Sequence, residues 1–129
     1  MALTIKDYDM AIAKNENGAV TLNFTKDIYP SEGDTAVFMV KKSSNDADVD
    51  AIISTEIDIL QDRKVPIVIL AADTVAAIPN TYRWSLKINT VEFGPVVAIP
   101  VDANDGYPKF EIKEDIMDII LIGSDVINH

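Results

Sequence analysis

The stretch TYRWSLKIN (residues 81–89) decides the fold class of this protein. Tyr82, Trp84, Leu86 and Ile88 alternate with polar residues, so an extended backbone places all four on one face. Alternation of this kind is typical of a half-buried β-strand. The stretch therefore predicts a strand whose apolar face packs against a second layer of the protein.

Other parts of the chain carry related patterns. Further predicted strands are AVTLNFT (residues 19–25), TAVFMVKK (35–42), VPIVIL (65–70), residues 93–101 and residues 107–112. Polar turn signals separate these runs, and no long helical pattern lies between them. We therefore predict an all-β protein with an antiparallel β-sandwich fold. Residues 1–129 are expected to form a single sandwich domain, in which residues 113–129 add an edge strand or a short helix.

The segment AADTVAAIPN (residues 71–80) interrupts the strand pattern just before Tyr82. Asp73 is suited to cap a helical turn over residues 74–78, and Pro79 prevents that turn from continuing. A helical turn followed by a strand-leading tyrosine is typical of one corner of immunoglobulin-like sandwiches, where the tyrosine hydroxyl bonds to the preceding backbone. We therefore predict an immunoglobulin-like sandwich of about seven to nine strands with one short helical turn.

Composition excludes several classes of function. The 129 residues carry a net charge of −10, which disfavours binding to phosphate backbones and to anionic membranes. Asp7 and Asp9 interrupt the N-terminus where a signal peptide needs an apolar core, and the longest apolar run, residues 65–72, is too short to span a bilayer. We expect no nucleic-acid partner and no membrane partner.

An Asp-rich stretch, NDADVD (residues 45–50), is the nearest approach to a metal-binding motif. With Asp46 as the first ligand of a helix-loop-helix calcium loop, Asp48 and Asp50 supply the third and fifth positions. That loop needs glycine at the sixth position and glutamate at the twelfth, where this chain has Ala51 and Ile57. We interpret the stretch as a solvated turn, with a low-affinity calcium site at the three aspartates as the alternative.

Residues for catalysis are scarce. The chain has no cysteine, and its single histidine is His129, the last residue. Thiol chemistry is therefore excluded, and a histidine base would depend on a chain terminus. The five glycines are scattered and form no phosphate-binding loop. We expect a non-enzymatic protein without a cofactor; a small hydrolase that uses two carboxylates is the remaining catalytic alternative.

Two sets of apolar residues are candidates for contact with a ligand or partner. The aromatic residues Phe38, Tyr82, Trp84 and Phe93 resemble a sugar-stacking platform, but the strand pattern favours core packing for them. The other set is predicted to lie on the outward faces of its strands, which indicates a covering element or a partner. Its members are Val37, Met39, Val68 and Leu70.

Four segments together resemble the N-terminal immunoglobulin-like domain of phage baseplate upper proteins and related prophage tail accessory proteins. In chain order they are GDTAVFMVKK (residues 33–42), AIIS (51–54), VPIVILAADTVAAIPNTYRWSLKI (65–88) and GYPKFEIKEDI (106–116). The likeness covers about residues 9–116 and rests on strand and turn residues. Asn80 stands where that family usually has glycine, a tolerable change because asparagine also accepts positive φ.

The resemblance implies a non-enzymatic structural component of a phage or prophage tail, with a baseplate-type protein–protein docking role. It implies other tail and baseplate proteins as partners, a homo-oligomer such as a trimer, and a location in the virion after assembly in the bacterial cytoplasm. The alternative from the residues themselves is a carbohydrate or cell-surface binding module. That alternative predicts an exposed aromatic platform or a calcium site at Asp46, Asp48 and Asp50.

Overall fold

The computed structural model describes residues 3–25, 27–43, 47, 50–100 and 106–114. This part of the chain contains nine strands and one short helix. The strands are β1 (Thr4–Lys6), β2 (Asp9–Ala13), β3 (Gly18–Asn23), β4 (Thr35–Lys41), β5 (Ile53–Asp58), β6 (Lys64–Ile69), β7 (Asn80–Thr90), β8 (Gly94–Ile99) and β9 (Lys109–Lys113). The helix is α1 (Ala71–Thr74). The predicted all-β sandwich is confirmed.

The strands form two sheets. The larger sheet has the order β1-β2-β9-β7-β4-β5, with β8 also paired to β7, and the smaller sheet pairs β3 with β6. Strand β7 is long enough to pair with β9 through residues 80–83 and with β8 through residues 86–90, both on the edge opposite β4. The edge of β7 opposite β4 is therefore shared by two strands, β9 at the start of β7 and β8 toward its end.

One strand pair departs from the predicted antiparallel arrangement. Strand β2 runs parallel to β9, with Met10 opposite Phe110 and Ile12 opposite Ile112, whereas the other described pairs are antiparallel. Parallel neighbours need a long connection. Here the connection contains strands β3 to β8 and helix α1, because β2 and β9 lie near opposite ends of the chain.

The core lies between the two sheets and contains side chains from both. Tyr82, Trp84, Leu86 and Ile88 are all buried, as the alternation in residues 81–89 predicts. They form one cluster with the inward residues of the smaller sheet, including Leu22, Val65, Ile67 and Ile69. The ring centroid of Phe38 lies 5.6 Å from that of Trp84 and 6.0 Å from that of Phe110. Packed aromatic rings therefore fill the centre of the sandwich.

The corner before β7 has the predicted bond but not the predicted helix. The Tyr82 hydroxyl donates to the Ile78 carbonyl oxygen at 2.6 Å, which confirms the tyrosine corner. The helical turn begins earlier than predicted, at Ala71, and ends at Thr74. Asp73 does not precede the turn; it lies within it, and its carboxylate accepts the Leu70 N–H at 2.8 Å. The position predicted for the helix, residues 74–78, was therefore wrong, because Asp73 caps backward from the third helical position; past the helix, the Ala77 N–H donates to the Thr74 carbonyl oxygen at 2.9 Å in a further turn.

Candidate functional site

The Asp-rich stretch lies mostly outside the described residues. Asp46 and Asp48 are not among them, so the structure describes only Asp50 of the three candidate calcium ligands. Asp50 is exposed, and its N–H donates to the Ala47 carbonyl oxygen at 2.9 Å. Within the described residues, no group of three or more His, Cys, Asp or Glu side chains is arranged to hold a metal ion. The calcium alternative stays a prediction.

The four aromatic residues that resembled a stacking platform do not lie together on the surface. Phe38, Tyr82 and Trp84 are buried in the core, as the strand pattern favours. Phe93 is half exposed and lies in the turn between β7 and β8. These residues therefore offer no shared face on which a sugar ring could stack.

The outward apolar residues divide between the two sheets. Val37 and Met39 lie half-buried on the outer face of the larger sheet, in β4. Val68 and Leu70 are exposed and lie in and just after β6, in the smaller sheet. The two pairs consequently lie on opposite sides of the sandwich and cannot form one contact surface.

A cleft of about 520 Å³ lies beside the turn between β1 and β2. The turn residues Asp7 and Tyr8 form one wall with Asp9, and Arg83 of β7 contributes to the cleft. The opposite wall consists of residues that flank the connection from β8 to β9, namely Ile99, Pro100, Gly106, Tyr107, Pro108 and Lys109. The volume falls within the range of about 300–1,000 Å³ that small-molecule sites occupy.

The turn at this cleft is held by the core. Asp7 and Tyr8 both have positive φ, 51° and 71°, as in the tight turns of β-hairpins. Residues other than glycine adopt this conformation at a cost in free energy. The buried Trp84 indole Nε1–H donates to the Tyr8 carbonyl oxygen at 2.7 Å, and the Asp9 carboxylate accepts the Lys109 N–H at 2.9 Å. These two bonds fix the turn against β7 and β9.

The cleft combines an aromatic ring with charges of both signs. The Tyr8 side chain is 49% exposed, and the charged residues Asp7, Asp9, Arg83 and Lys109 line the same cleft. The Arg83 Nη1 donates to the Tyr107 carbonyl oxygen at 3.3 Å, which holds the guanidinium near the cleft. Carboxylates accept hydrogen bonds and guanidinium groups donate them. The arrangement suits a small polar ligand that carries several hydroxyl groups.

Sequence reasoning missed this cleft. It treated Asp7 and Asp9 only as residues that interrupt a signal peptide, and it did not predict β1 or β2. A local signal for a strand pair was present, because Asp7 and Tyr8 connect two short runs that each contain both apolar and polar residues. These runs are ALTIK and DMAIA. What the sequence does not display is the pairing of this turn with Trp84 and Lys109, which are 76 and 100 residues away.

Comparisons with known proteins give no relative from which to assign a function. No family model matches the chain, and neither the curated proteins nor the solved structures contain a significant match to it. Among the described residues, no helix has the length and apolar character needed to cross a membrane.

Proposed function

We propose that this protein is a non-enzymatic structural component of a phage or prophage tail, with a baseplate-type docking role. The observation that supports the proposal is the placement of the four segments that resemble the baseplate family. They supply β4, the start of β5, the run from β6 through α1 to β7, and β9. Strand and corner residues of the resemblance therefore occupy strands and the tyrosine corner of one sandwich.

The proposal has consequences for partners and location. The partners are other tail or baseplate proteins, and the protein assembles with further copies of itself, for which a trimer is the expected state. It is assembled in the bacterial cytoplasm and is carried in the virion. Neither nucleic acid nor membrane is a partner, in keeping with the net charge of −10.

An affinity pull-down after prophage induction in the source strain tests the proposal. The tagged protein is incubated with the induced lysate, and bound proteins are identified by mass spectrometry, with calcium present or chelated in parallel. Recovery of tail or baseplate proteins from the induced lysate, and not from the uninduced one, is the expected result. Recovery of cell-wall material alone contradicts it. Loss of binding on chelation supports a calcium site at Asp46, Asp48 and Asp50.

The cleft at Tyr8 favours a second candidate function, a carbohydrate or cell-surface binding module. A half-exposed ring beside carboxylates and a guanidinium is suited to a sugar, which presents an apolar face and many hydroxyl groups. Trp84 is the single tryptophan, and its indole contacts the backbone of Tyr8, so its fluorescence reports on the cleft.

A fluorescence titration tests this second candidate. Glucose, galactose and N-acetylglucosamine are added in turn to the wild-type protein and to a Tyr8→Asn variant. Asparagine removes the ring and tolerates the positive φ at this position. A saturable change in Trp84 emission that the variant lacks is the expected result. Emission that is indifferent to all three sugars counts against a binding module at this cleft.

A further inference from the structure

Three connections meet at one end of the sandwich. They are the connections from β3 to β4, from β5 to β6 and from β7 to β8. Strand register places them together, because Thr35 at the start of β4 is opposite both Asp58 at the end of β5 and Asn89 near the end of β7. Asn23 at the end of β3 is opposite Lys64 at the start of β6. We call this region the loop end.

Hydrogen bonds join the three connections of the loop end. The buried Asp34 carboxylate accepts the Ser31 N–H at 2.8 Å and the Val91 N–H at 3.0 Å. The Asp62 carboxylate accepts the Glu32 N–H at 2.8 Å, which ties the β3–β4 connection to the β5–β6 connection. Each loop is therefore fixed by another loop. A surface ordered in this way loses less conformational entropy when a partner binds.

The loop end exposes large apolar side chains from all three connections. Ile28 is 71% exposed, Leu60 72%, Val91 85% and Phe93 51%. A cleft of about 310 Å³ lies between the β3–β4 connection and the β7–β8 turn, with Val91 and Phe93 on one side and Tyr29 on the other. Isolated exposed apolar residues are ordinary, but several on adjoining ordered loops mark a contact surface.

Charge at the loop end selects the kind of partner. Among the described residues of the three connections and Lys64, the exposed charged side chains are Asp27, Glu32, Asp62 and Glu92 against Arg63 and Lys64. The excess is acidic, and the whole chain carries −10. A second copy that contacted the same surface about a two-fold axis would present the same acidic excess to it, which is unfavourable. A basic partner is favoured instead.

We propose that the loop end docks a partner protein that presents an apolar projection flanked by lysine or arginine side chains. The apolar projection contacts Val91 and Phe93, and the basic side chains pair with Glu32 and Glu92. This assignment rests on the proposed docking function and adds to it the surface and the chemistry of the partner. Large side chains at the centre of the contact supply the affinity, and the acidic rim supplies specificity and rate of association.

Selection from a displayed random-peptide library tests the proposal. The probe peptides are selected on the wild-type protein and then measured on Val91→Ser/Phe93→Ser, on the charge-reversed Glu32→Lys/Glu92→Lys, and on Val75→Ser/Ile78→Ser. The last variant is the matched control, since Val75 and Ile78 are also exposed apolar residues but lie at the opposite end. All changed side chains are exposed, and the single tryptophan provides a check of folding.

The expected peptides carry an apolar centre between basic residues. Their affinity falls at least tenfold on both loop-end variants, is unchanged on the control, and decreases with added salt. The proposal is overturned if no selected peptide depends on the loop end, or if the dependent peptides are acidic. It is also overturned if sedimentation shows a dimer of the protein that Val91→Ser/Phe93→Ser abolishes, because a second copy is then the occupant.

The induced-lysate pull-down separates this proposal from the proposed function. If tail proteins bind wild type and Val91→Ser/Phe93→Ser equally, the tail function stands and the loop end is not the docking surface. If loop-end peptides are found but no tail protein binds, the surface stands and the tail assignment fails.

Discussion

At each end of the sandwich a buried polar side chain bonds to a segment distant in sequence, but the two side chains differ in charge. Asp34 is 5% exposed and lies at the loop end, and Thr74 is 0% exposed and lies beside the tyrosine corner. Both join segments that are distant in sequence: Asp34 bonds to Val91, 57 residues away, and Thr74 bonds to Asn15, 59 residues away. At both ends, therefore, the oxygen of a buried side chain accepts a backbone N–H from a distant segment.

The two side chains differ in the hydrogen bonds that the protein loses when each is removed. Asp34 accepts two backbone N–H groups from two loops with a carboxylate, and such charge-assisted bonds are the stronger kind. The Thr74 hydroxyl accepts the Asn15 N–H at 2.9 Å and donates to the Ala71 carbonyl oxygen at 3.4 Å, the second a long bond. We infer that the loop end depends on one residue more strongly than the corner does.

Asp34→Ala is expected to give the largest effect. It leaves the N–H groups of Ser31 and Val91 without their carboxylate, and we expect the free energy of unfolding to fall by about 3 kcal/mol. Urea unfolding followed by Trp84 fluorescence measures the change. Asp34→Asn, which keeps one acceptor oxygen, is the control and should lose less. Equal stability of Asp34→Ala and wild type would show that Asp34 does not hold the loop end.

Thr74→Val tests the other end of the sandwich, beside the tyrosine corner. Valine keeps the shape of the buried side chain but removes the hydroxyl that accepts the Asn15 N–H. We expect a loss of about 1–2 kcal/mol in the free energy of unfolding, less than for Asp34→Ala. Hydrogen exchange at the Asn15 amide should accelerate as well. A loss larger than that of Asp34→Ala would reverse the proposed order of the two ends.

The two ends also differ in how far the sequence predicts them. The corner is local: the Tyr82 hydroxyl bonds four residues back to Ile78, so a pattern in ten consecutive residues was enough to predict it. The helical turn was still misplaced, because a capping aspartate bonds either forward or backward along the chain. The strand faces of β4, β6 and β7 were predicted for the same reason, since period-two burial is a local property.

The loop end and the cleft at Tyr8 depend on distant partners. The segment YPSEGD (residues 29–34) carries a polar turn signal, but nothing in it indicates that Asp34 binds the β7–β8 turn. In the same way, DYD (residues 7–9) gives no sign that Trp84 donates to the Tyr8 carbonyl oxygen. The parallel pairing of β2 with β9 also joins opposite ends of the chain. Strand patterns specify a face for each residue but not a neighbour across the sheet.

Tyr82→Phe is expected to give a smaller effect than Thr74→Val. Phenylalanine keeps the buried ring and removes only the hydroxyl that donates to the Ile78 carbonyl oxygen. We expect a loss of about 1 kcal/mol in the free energy of unfolding, since that carbonyl lies in an exposed residue and can bond to water instead. Thermal unfolding monitored by circular dichroism provides the measurement. A loss of the size seen for Asp34→Ala would mean that the corner, and not the loop end, is the main fixed point.

Asp62→Ala gives the smallest expected change in stability. It tests whether the three connections of the loop end order together. Asp62 is exposed, so its bond to the Glu32 N–H competes with water, and we expect the free energy of unfolding to change by no more than about 0.5 kcal/mol. Hydrogen exchange at the Glu32 amide should nevertheless accelerate, while the Val91 amide, held by Asp34, should keep its protection. If both amides accelerate together, the three connections order as one unit. If only the Glu32 amide responds, the surface that carries Val91 and Phe93 is ordered without Asp62.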